Sequence, residues 1–347
     1  MSRRARPARG LLTLLLAALP LATAAAQEPP PPPPGPFDLR PRWSEGERCE
    51  GEARLLLKLK VRLKLEGDPQ RPLDRTSEQA QALLRRWQDE VLKVEGDRPL
   101  ETRRRYSEDY EGLREPGARV MERKPAPLHQ RKLVLDRDEQ QRPRARLVSE
   151  PPVEKAVLDE ERQGERYEAV LPPEPVAVGA SWTIEGQALR EALGGGLGEK
   201  AEGLITCTLR AVAEEALDEE TPKEWLALID LAVKAAGTQG SEADAPRIET
   251  ELTGTLRFSL ARRKVVALEL KGTAHVSQVR RDGAISLTVD GKGPLELTKR
   301  YWFPERPKKG DAPPEDPGME PPPAREPGAP PPEGPPTPPG PGPQPPR

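Results

Sequence analysis

The sequence predicts a mainly β (α+β) protein, a curved antiparallel sheet or half-barrel with one or two helices, flanked by disordered proline-rich tails. Three observations lead to this prediction. Apolar and polar residues alternate along several long segments, which is the pattern of half-buried strands. Asp-Gly pairs, typical of tight hairpins, separate some of these segments. Most of the 45 prolines among the 347 residues lie near the two ends of the chain.

The first 26 residues have the features of a signal peptide. Four arginines within the first nine residues precede an apolar run over residues 11–26, which ends in small residues. A membrane-spanning helix needs about 20 apolar residues, so this shorter run favours a cleaved secretory signal. We expect export to the periplasm or the extracellular space, with no transmembrane segment after cleavage. An uncleaved anchor is the alternative, and both general and twin-arginine export stay open.

Proline-rich segments bound the region that can fold. Residues 27–44 contain "EPPPPPPGP", which indicates an extended linker. Residues 304–347 carry almost no apolar side chains that could offset the entropy lost on ordering, so we expect a disordered tail. The β-rich domain is therefore expected over residues 45–303. It forms either one domain or two halves, 45–170 and 171–303.

The first half begins with one clear strand. From Cys49 to Leu65, apolar residues occupy nearly every second position, and basic residues occupy most of the others. The following segment, 77–95, places Ala80, Leu83, Leu84, Trp87 and Val91 at helical spacing after a serine cap, which predicts a helix. Residues 97–165 are highly charged and poor in apolar residues. They form either short edge strands or a partly mobile stretch.

The second half predicts an antiparallel meander of five or six long strands. Alternation recurs in "GLITCTLRAVAEE", "ELTGTLRFSL" and "KVVALELKGTAHVSQVR"; "EWLALIDLAVKAAG" alternates too but also fits a helix. The pairs Asp282-Gly283 and Asp290-Gly291 are expected to turn the chain between strands. The apolar face of such a meander packs on a helix, on a second sheet, or on itself as a half-barrel.

The segment "LPPEPVAVGASW", residues 171–182, reads as the entry to a strand. Its prolines keep the chain extended, Gly179 permits a positive φ, and Trp182 then packs on the apolar face. The segment resembles the Leu-Pro-x-x-Pro-Val-x-Val-Gly-x-x-Trp block of a family of secreted bacterial proteins, many from planctomycete-like genomes. A strand pair similar to "TGTLRFSLARRKVVALELKG" follows in that family. The resemblance implies a curved antiparallel sheet reminiscent of lipoprotein carriers and supplies no catalytic residues. Ala180 and Ser181 stand where the family often has a polar or acidic residue.

Composition argues against several classes of function. The 55 basic and 57 acidic residues nearly cancel, and aromatic residues make up 3% of the chain, which argues against binding to nucleic acid. The sequence contains no Gly-x-Ser-x-Gly, Cys-x-x-Cys or His-Glu-x-x-His pattern. We therefore expect a protein that is not an enzyme, with no catalytic residues, metal site or cofactor.

Two functional hypotheses remain. The first is an exported envelope protein that binds a lipid or another apolar ligand in the concave face of its sheet. The second is a structural or scaffolding protein that reaches envelope partners through its proline-rich tails. In the first hypothesis, the ligand is expected to contact six apolar side chains: Leu57, Val61, Trp182, Leu256, Phe258 and Leu268.

The two cysteines raise a separate question. Cys49 and Cys207 both lie on the apolar faces of predicted strands, and the expected compartment is oxidising. They form a disulfide if their strands are neighbours, and are otherwise two buried free thiols.

Overall fold

The computed structural model describes residues 33–67, 73–114, 117–118, 120–137, 143–162, 167–193, 201–217, 221–238 and 244–304. The expected signal peptide, linker residues 27–32 and the tail from residue 305 lie outside the described residues.

The described residues form one large antiparallel sheet with two short α-helices, so the predicted fold class is confirmed. Its strand order is β6-β5-β3-β2-β1-β12-β11-β10-β9-β8-β7, with β4 paired to β3, and the sheet is open rather than closed into a barrel. The strands are β1 Arg48–Glu66, β2 Leu73–Glu95, β3 Arg98–Arg114, β4 Glu122–Pro125, β5 Lys132–Arg137, β6 Pro143–Leu147, β7 Ser181–Glu185, β8 Glu202–Glu215, β9 Glu224–Thr238, β10 Arg247–Ser259, β11 Lys264–Asp282 and β12 Ile285–Trp302. The helices are α1 Lys155–Arg162, α2 Gly186–Leu193 and a 3-10 helix, Tyr167–Val170.

The sheet has one face that the chain covers with its own segments, which we call the inner face. On β1 this face carries Cys49, Ala53, Leu57 and the other odd-numbered residues, as the alternation predicted. Directly paired residues of neighbouring strands share a face, so the pairing carries this assignment across the sheet. The opposite, outer face carries the charged residues of β1.

The helix predicted over residues 77–95 is wrong, because these residues lie in strand β2. The strand pairs with β1 along nearly its whole length and with β3 on its other edge. Leu83, Trp87 and Val91 point to the inner face, whereas Ala80 and Leu84 point to the outer face. Because the apolar residues of β2 lie on both faces, they do not alternate regularly with polar residues, and their spacing resembles that of a helix. Hydrogen bonding of β2 to both β1 and β3 outweighs the local preference of these residues for a helix.

The predicted meander is confirmed as five consecutive strands, β8 to β12, and "EWLALIDLAVKAAG" is strand β9. Asp282-Gly283 lies at the turn between β11 and β12, where Gly283 has a φ of 58°. The second predicted turn is wrong, because Asp290 and Gly291 lie inside β12. Asp290 pairs with Arg62 on one side and Ser277 on the other, and this pairing holds the segment straight.

The two halves of the domain share one continuous sheet, because β1 pairs with β12. The folded region also begins before residue 45, so the expected linker is shorter at its C-terminal end. Phe37 and Leu39 are buried, and Phe37 forms a backbone bridge with Val176. Of the charged stretch 97–165, the first part is the 17-residue strand β3, and three short strands follow it.

Glycines on three successive strands allow the backbones to approach closely along a diagonal. A Cβ atom at Gly293, Gly272 or Gly254 would lie 1.8–2.0 Å from a carbonyl oxygen of the neighbouring strand. Each glycine is offset by one paired row from the next, since Gly272 pairs with Leu295 and Gly254 with Leu270. Glycines at such positions let a sheet bend, which is how curved sheets are built.

The segment 171–182 enters the sheet as predicted. Gly179 has a φ of 88°, and its backbone N–H donates to the carbonyl of Leu209 at 2.7 Å. Trp182 follows on β7, where its ring packs against the inner core and its Nε1–H donates to the carbonyl of Val170 at 2.8 Å. The segment therefore places Trp182 over the 3-10 helix.

Candidate functional site

Over its β8–β11 side, the inner face is filled by the chain itself. Phe37, Leu39, the 3-10 helix and α2 pack onto the strands and form the main hydrophobic core. Leu256, Phe258 and Leu268 are 0% exposed there, and Trp182 is hydrogen bonded beneath the same cover. These four of the six predicted ligand contacts therefore face protein rather than a ligand. Alternation identifies the face on which a residue lies but not what covers that face.

The other two predicted residues, Leu57 and Val61, lie in a part of the inner face that the described helices leave uncovered. These helices pack mainly on β6, β7 and β8. The uncovered part, which we call the aliphatic strip, occupies the far ends of β1 and β12 and the adjoining start of β2. Its residues are Leu57, Leu59, Val61, Leu63, Leu65, Leu73, Ile285, Leu287 and Val289.

The strip is long, narrow and partly open to solvent. From Leu57 to Leu65 it extends about 26 Å along β1, at roughly 3.3 Å per residue. Leu63 pairs with Val289 and Leu65 with Leu287, so two columns of aliphatic side chains lie side by side near the tip, whereas Val61 pairs with Gly291, which has no side chain. Six of these side chains are half-buried, Val61 is buried at 5% exposed, and Leu73 and Ile285 at the tip are each 39% exposed.

The two faces of this part of the sheet differ sharply in charge. On the outer face of β1, opposite the strip, stand Lys58, Lys60, Arg62 and Lys64, all exposed. On the inner face, the β2 positions paired with Leu57 to Leu63 hold one charged residue, Arg75, and three uncharged residues, Ser77, Gln79 and Gln81. The separation is unusual in a chain with 32% charged residues, and it makes the strip the apolar side of an amphipathic sheet extension.

A second feature of the inner face is a buried ionic network beneath helix α1. Glu161 of α1 accepts hydrogen bonds from Arg85 at 3.0 Å and from the hydroxyl of Tyr106 at 2.7 Å. Arg85 also donates to Asp109 at 2.9 Å. Arg104 donates to both carboxylate oxygens of Asp89 at 2.8 Å. Helix α1 is thus fastened to strands β2 and β3 by charged hydrogen bonds.

The buried network shifts the pKa values of Lys299 and of two of its own members. Burial, together with the positive charges of Arg104 and Arg85, lowers the pKa of Lys299 to about 7. Burial also raises the pKa of Tyr106 and that of Asp109 above their usual values. Because the arginines and carboxylates pair with one another and with Glu161, the network anchors α1 to the sheet. Single-sequence reasoning could not find it, since its members look like ordinary surface charges.

The two cysteines are free thiols, so the disulfide between Cys49 and Cys207 is not formed. Their strands, β1 and β8, are five strand spacings apart, or about 24 Å along the sheet, whereas bonded cysteines have Cα atoms within about 7 Å. Both thiols are buried, and burial raises the pKa of Cys207 to about 12.

The histidines lie in separate structural settings. His275 lies on the outer face, between the carboxylates of Glu249 and Asp290 at 3.5 and 3.4 Å. It borders an open, polar groove of about 510 Å³. His129 accepts a hydrogen bond from the backbone N–H of Asp109 at 3.2 Å. Among the described residues, no cluster of three or more histidine, cysteine or acidic side chains could hold a metal ion.

Neither α1 nor α2, the α-helices of the described part of the chain, has the length and apolarity of a membrane-spanning helix. Comparison with protein families and with curated proteins finds no match for this chain.

Proposed function

We propose that the protein is an exported, non-catalytic envelope protein that binds the hydrocarbon chain of a lipid along its aliphatic strip. The observation that supports the proposal is the strip itself, a partly exposed row of leucine, valine and isoleucine side chains on the face that carries the hydrophobic core. Contiguous exposed apolar surface on a soluble domain commonly marks a binding site. Each methylene group buried there would contribute about 0.8 kcal/mol.

The dimensions of the strip favour a chain over a compact ligand. It is about 26 Å long on β1, two strands wide near the tip and one strand wide beyond Val289, and its side chains are all aliphatic. An extended hydrocarbon chain lying parallel to β1 would contact Leu57 at one end and Leu65 at the other. Export is supported by the basic and apolar pattern of the first 26 residues.

A neutral apolar probe tests this proposal without involving charge. We expect N-phenylnaphthylamine to gain fluorescence on binding the purified full chain, and palmitoyl lysophosphatidylcholine to displace it. Leu63→Gln, in the middle of the strip, should weaken probe binding about fivefold or more, because it places an amide against the hydrocarbon. Lys64→Gln is the matched control, since it introduces the same residue at the next position on the outer face.

Native mass spectrometry of the protein purified from its own envelope provides an independent readout. Added mass that disappears on denaturation and extracts as lipid would support the proposal. Equal probe binding by Leu63→Gln and Lys64→Gln, or no probe binding by the wild-type chain, would overturn it. The second result would favour the scaffolding function through the proline-rich tails.

A further inference from the structure

The tip of the aliphatic strip carries two arginines on the inner face. Five paired rows of β2, β1, β12 and β11 lie between Leu65 at the tip and Leu57, and they comprise twenty inner-face positions. Only two of these positions, Arg75 and Arg280, hold charged residues. Both charges are positive, and both occur in the rows of Leu63 and Leu65; one row further, Ile285 pairs with Asp282 of β11.

These arginines bracket the strip. Arg75 pairs with Leu63 from the β2 side, and Arg280 pairs with Leu287 from the β11 side. Three strand spacings, about 14 Å, separate the two backbones. Each guanidinium stands at the end of a long flexible side chain, so both can turn towards one group placed above Leu65 and Leu287.

The five rows hold no acidic residue on the inner face to compensate the two arginines, and Asp282, at the next inner-face position of β11, is the acidic residue closest to Arg280 along that strand. Both arginines are exposed. Within the described part of the chain, Arg75 makes no ion pair, and Arg280 makes one long contact, 3.9 Å from Nε to a carboxylate oxygen of Asp244. The nearest acidic residue on β2, Asp74, points to the outer face and is paired there with Arg62 at 2.6 Å.

We infer that the ligand is an anionic amphiphile whose carboxylate or phosphate head group lies between Arg75 and Arg280. Its hydrocarbon chain then extends from the tip along β1 towards Leu57. Guanidinium groups suit this task, because their paired N–H groups match the two oxygens of a carboxylate or phosphate. The inference rests on the proposed function, since it assigns the head group of a ligand whose chain occupies the strip.

Two lipids with the same chain and different head groups test the inference. Palmitoyl lysophosphatidylglycerol carries a net negative charge, and palmitoyl lysophosphatidylcholine does not. With the full chain in low salt, calorimetry should show about tenfold tighter binding of the anionic lipid, from two exposed ion pairs. Sodium palmitate is the third ligand, because it separates a carboxylate head from a phosphate head.

Variants then test which residues cause the preference for the anionic lipid. Arg75→Gln/Arg280→Gln should bind both lysophospholipids with equal affinity and keep the wild-type affinity for the choline lipid. Arg281→Gln is the matched control, because it removes the same charge at the next position, on the outer face, and should keep the preference. Added salt should reduce the preference in the wild-type chain, since exposed charges are screened.

The possible outcomes distinguish a failure of the head-group assignment from a failure of the proposed lipid-binding function. Equal binding of the two lysophospholipids by the wild-type chain would overturn the head-group assignment and leave the hydrocarbon site intact. Retention of the preference by Arg75→Gln/Arg280→Gln would also overturn it. Binding of neither lipid would refute the proposed function itself. A preference that extends to palmitate would support a carboxylate head, and one limited to the phosphoglycerol lipid would support a phosphate head.

Discussion

Replacing Glu161 with glutamine should destabilise the protein substantially. The carboxylate of Glu161 is 6% exposed and is the acceptor that joins helix α1 to the sheet. It accepts from Arg85 at 3.0 Å and from Tyr106 at 2.7 Å, and it lies 3.4 Å from Arg104. The substituted side chain would keep the shape of the glutamate but lose its charge, and its NH₂ group would face these donors.

The size of the effect follows from what stays buried. Removing one partner of a buried ion pair costs about 3–5 kcal/mol, because the remaining charge is left uncompensated. Arg85 and Arg104 retain Asp109 and Asp89 as partners, which places the expected loss near the lower end, about 3 kcal/mol. The negative charge of Glu161 also raises the pKa of Lys299, so without that charge the pKa of Lys299 should fall below about 7.

Urea unfolding followed by tryptophan fluorescence measures this free energy. Glu154→Gln provides the control, because Glu154 is exposed just before α1, and a surface change there should stay within about 0.5 kcal/mol. A double-mutant cycle of Glu161→Gln with Arg85→Gln should show coupling of about 1 kcal/mol or more. A loss below about 1 kcal/mol for Glu161→Gln, or additive effects in the cycle, would refute the network as the anchor of α1.

Three further predictions follow from the same structure. Gly272→Val should lower the thermal midpoint by about 10 °C or more, because its Cβ would lie 2.0 Å from the carbonyl oxygen of Glu251; an unchanged midpoint would disprove the close approach. The pKa of Lys299 is about 7 when folded and about 10.5 when unfolded, so the unfolded chain binds more protons between these values and stability should rise with pH there. Urea unfolding at pH 7 and 8.5 should show this rise, by up to about 1.4 kcal/mol per pH unit, and Lys299→Met should abolish it. Cys49 and Cys207 should react with Ellman's reagent only after urea is added; a mass two protons below that of the reduced chain would contradict free thiols.

Sequence alone predicted those parts of the fold that depend on neighbouring residues. The alternation of Cys49 to Leu65 identified β1 and its two faces, and the same pattern identified β8, β10 and β11, while β9 also fitted a helix. The positive φ of Gly179 and the turn at Asp282-Gly283 followed from glycine chemistry. Prediction failed in two places where the local sequence pattern and the strand pairing disagree. The apolar residues of β2 lie on both faces, and Asp290-Gly291 has turn chemistry but is paired on both edges.

What the sequence determined, therefore, is which residues share a face and which class of fold they form. Only the tertiary structure decided whether each face contacts other parts of the chain or solvent. The pairing of β1 with β12 brings together segments more than 200 residues apart, and no local pattern records that pairing. It also decided that the chain covers Leu256 and Phe258 but leaves Leu63 partly open, and that Cys49 lies far from Cys207. Alternation is set by the geometry of a single strand, whereas cover, ion pairing and cysteine distance depend on contacts that form only when the whole sheet assembles.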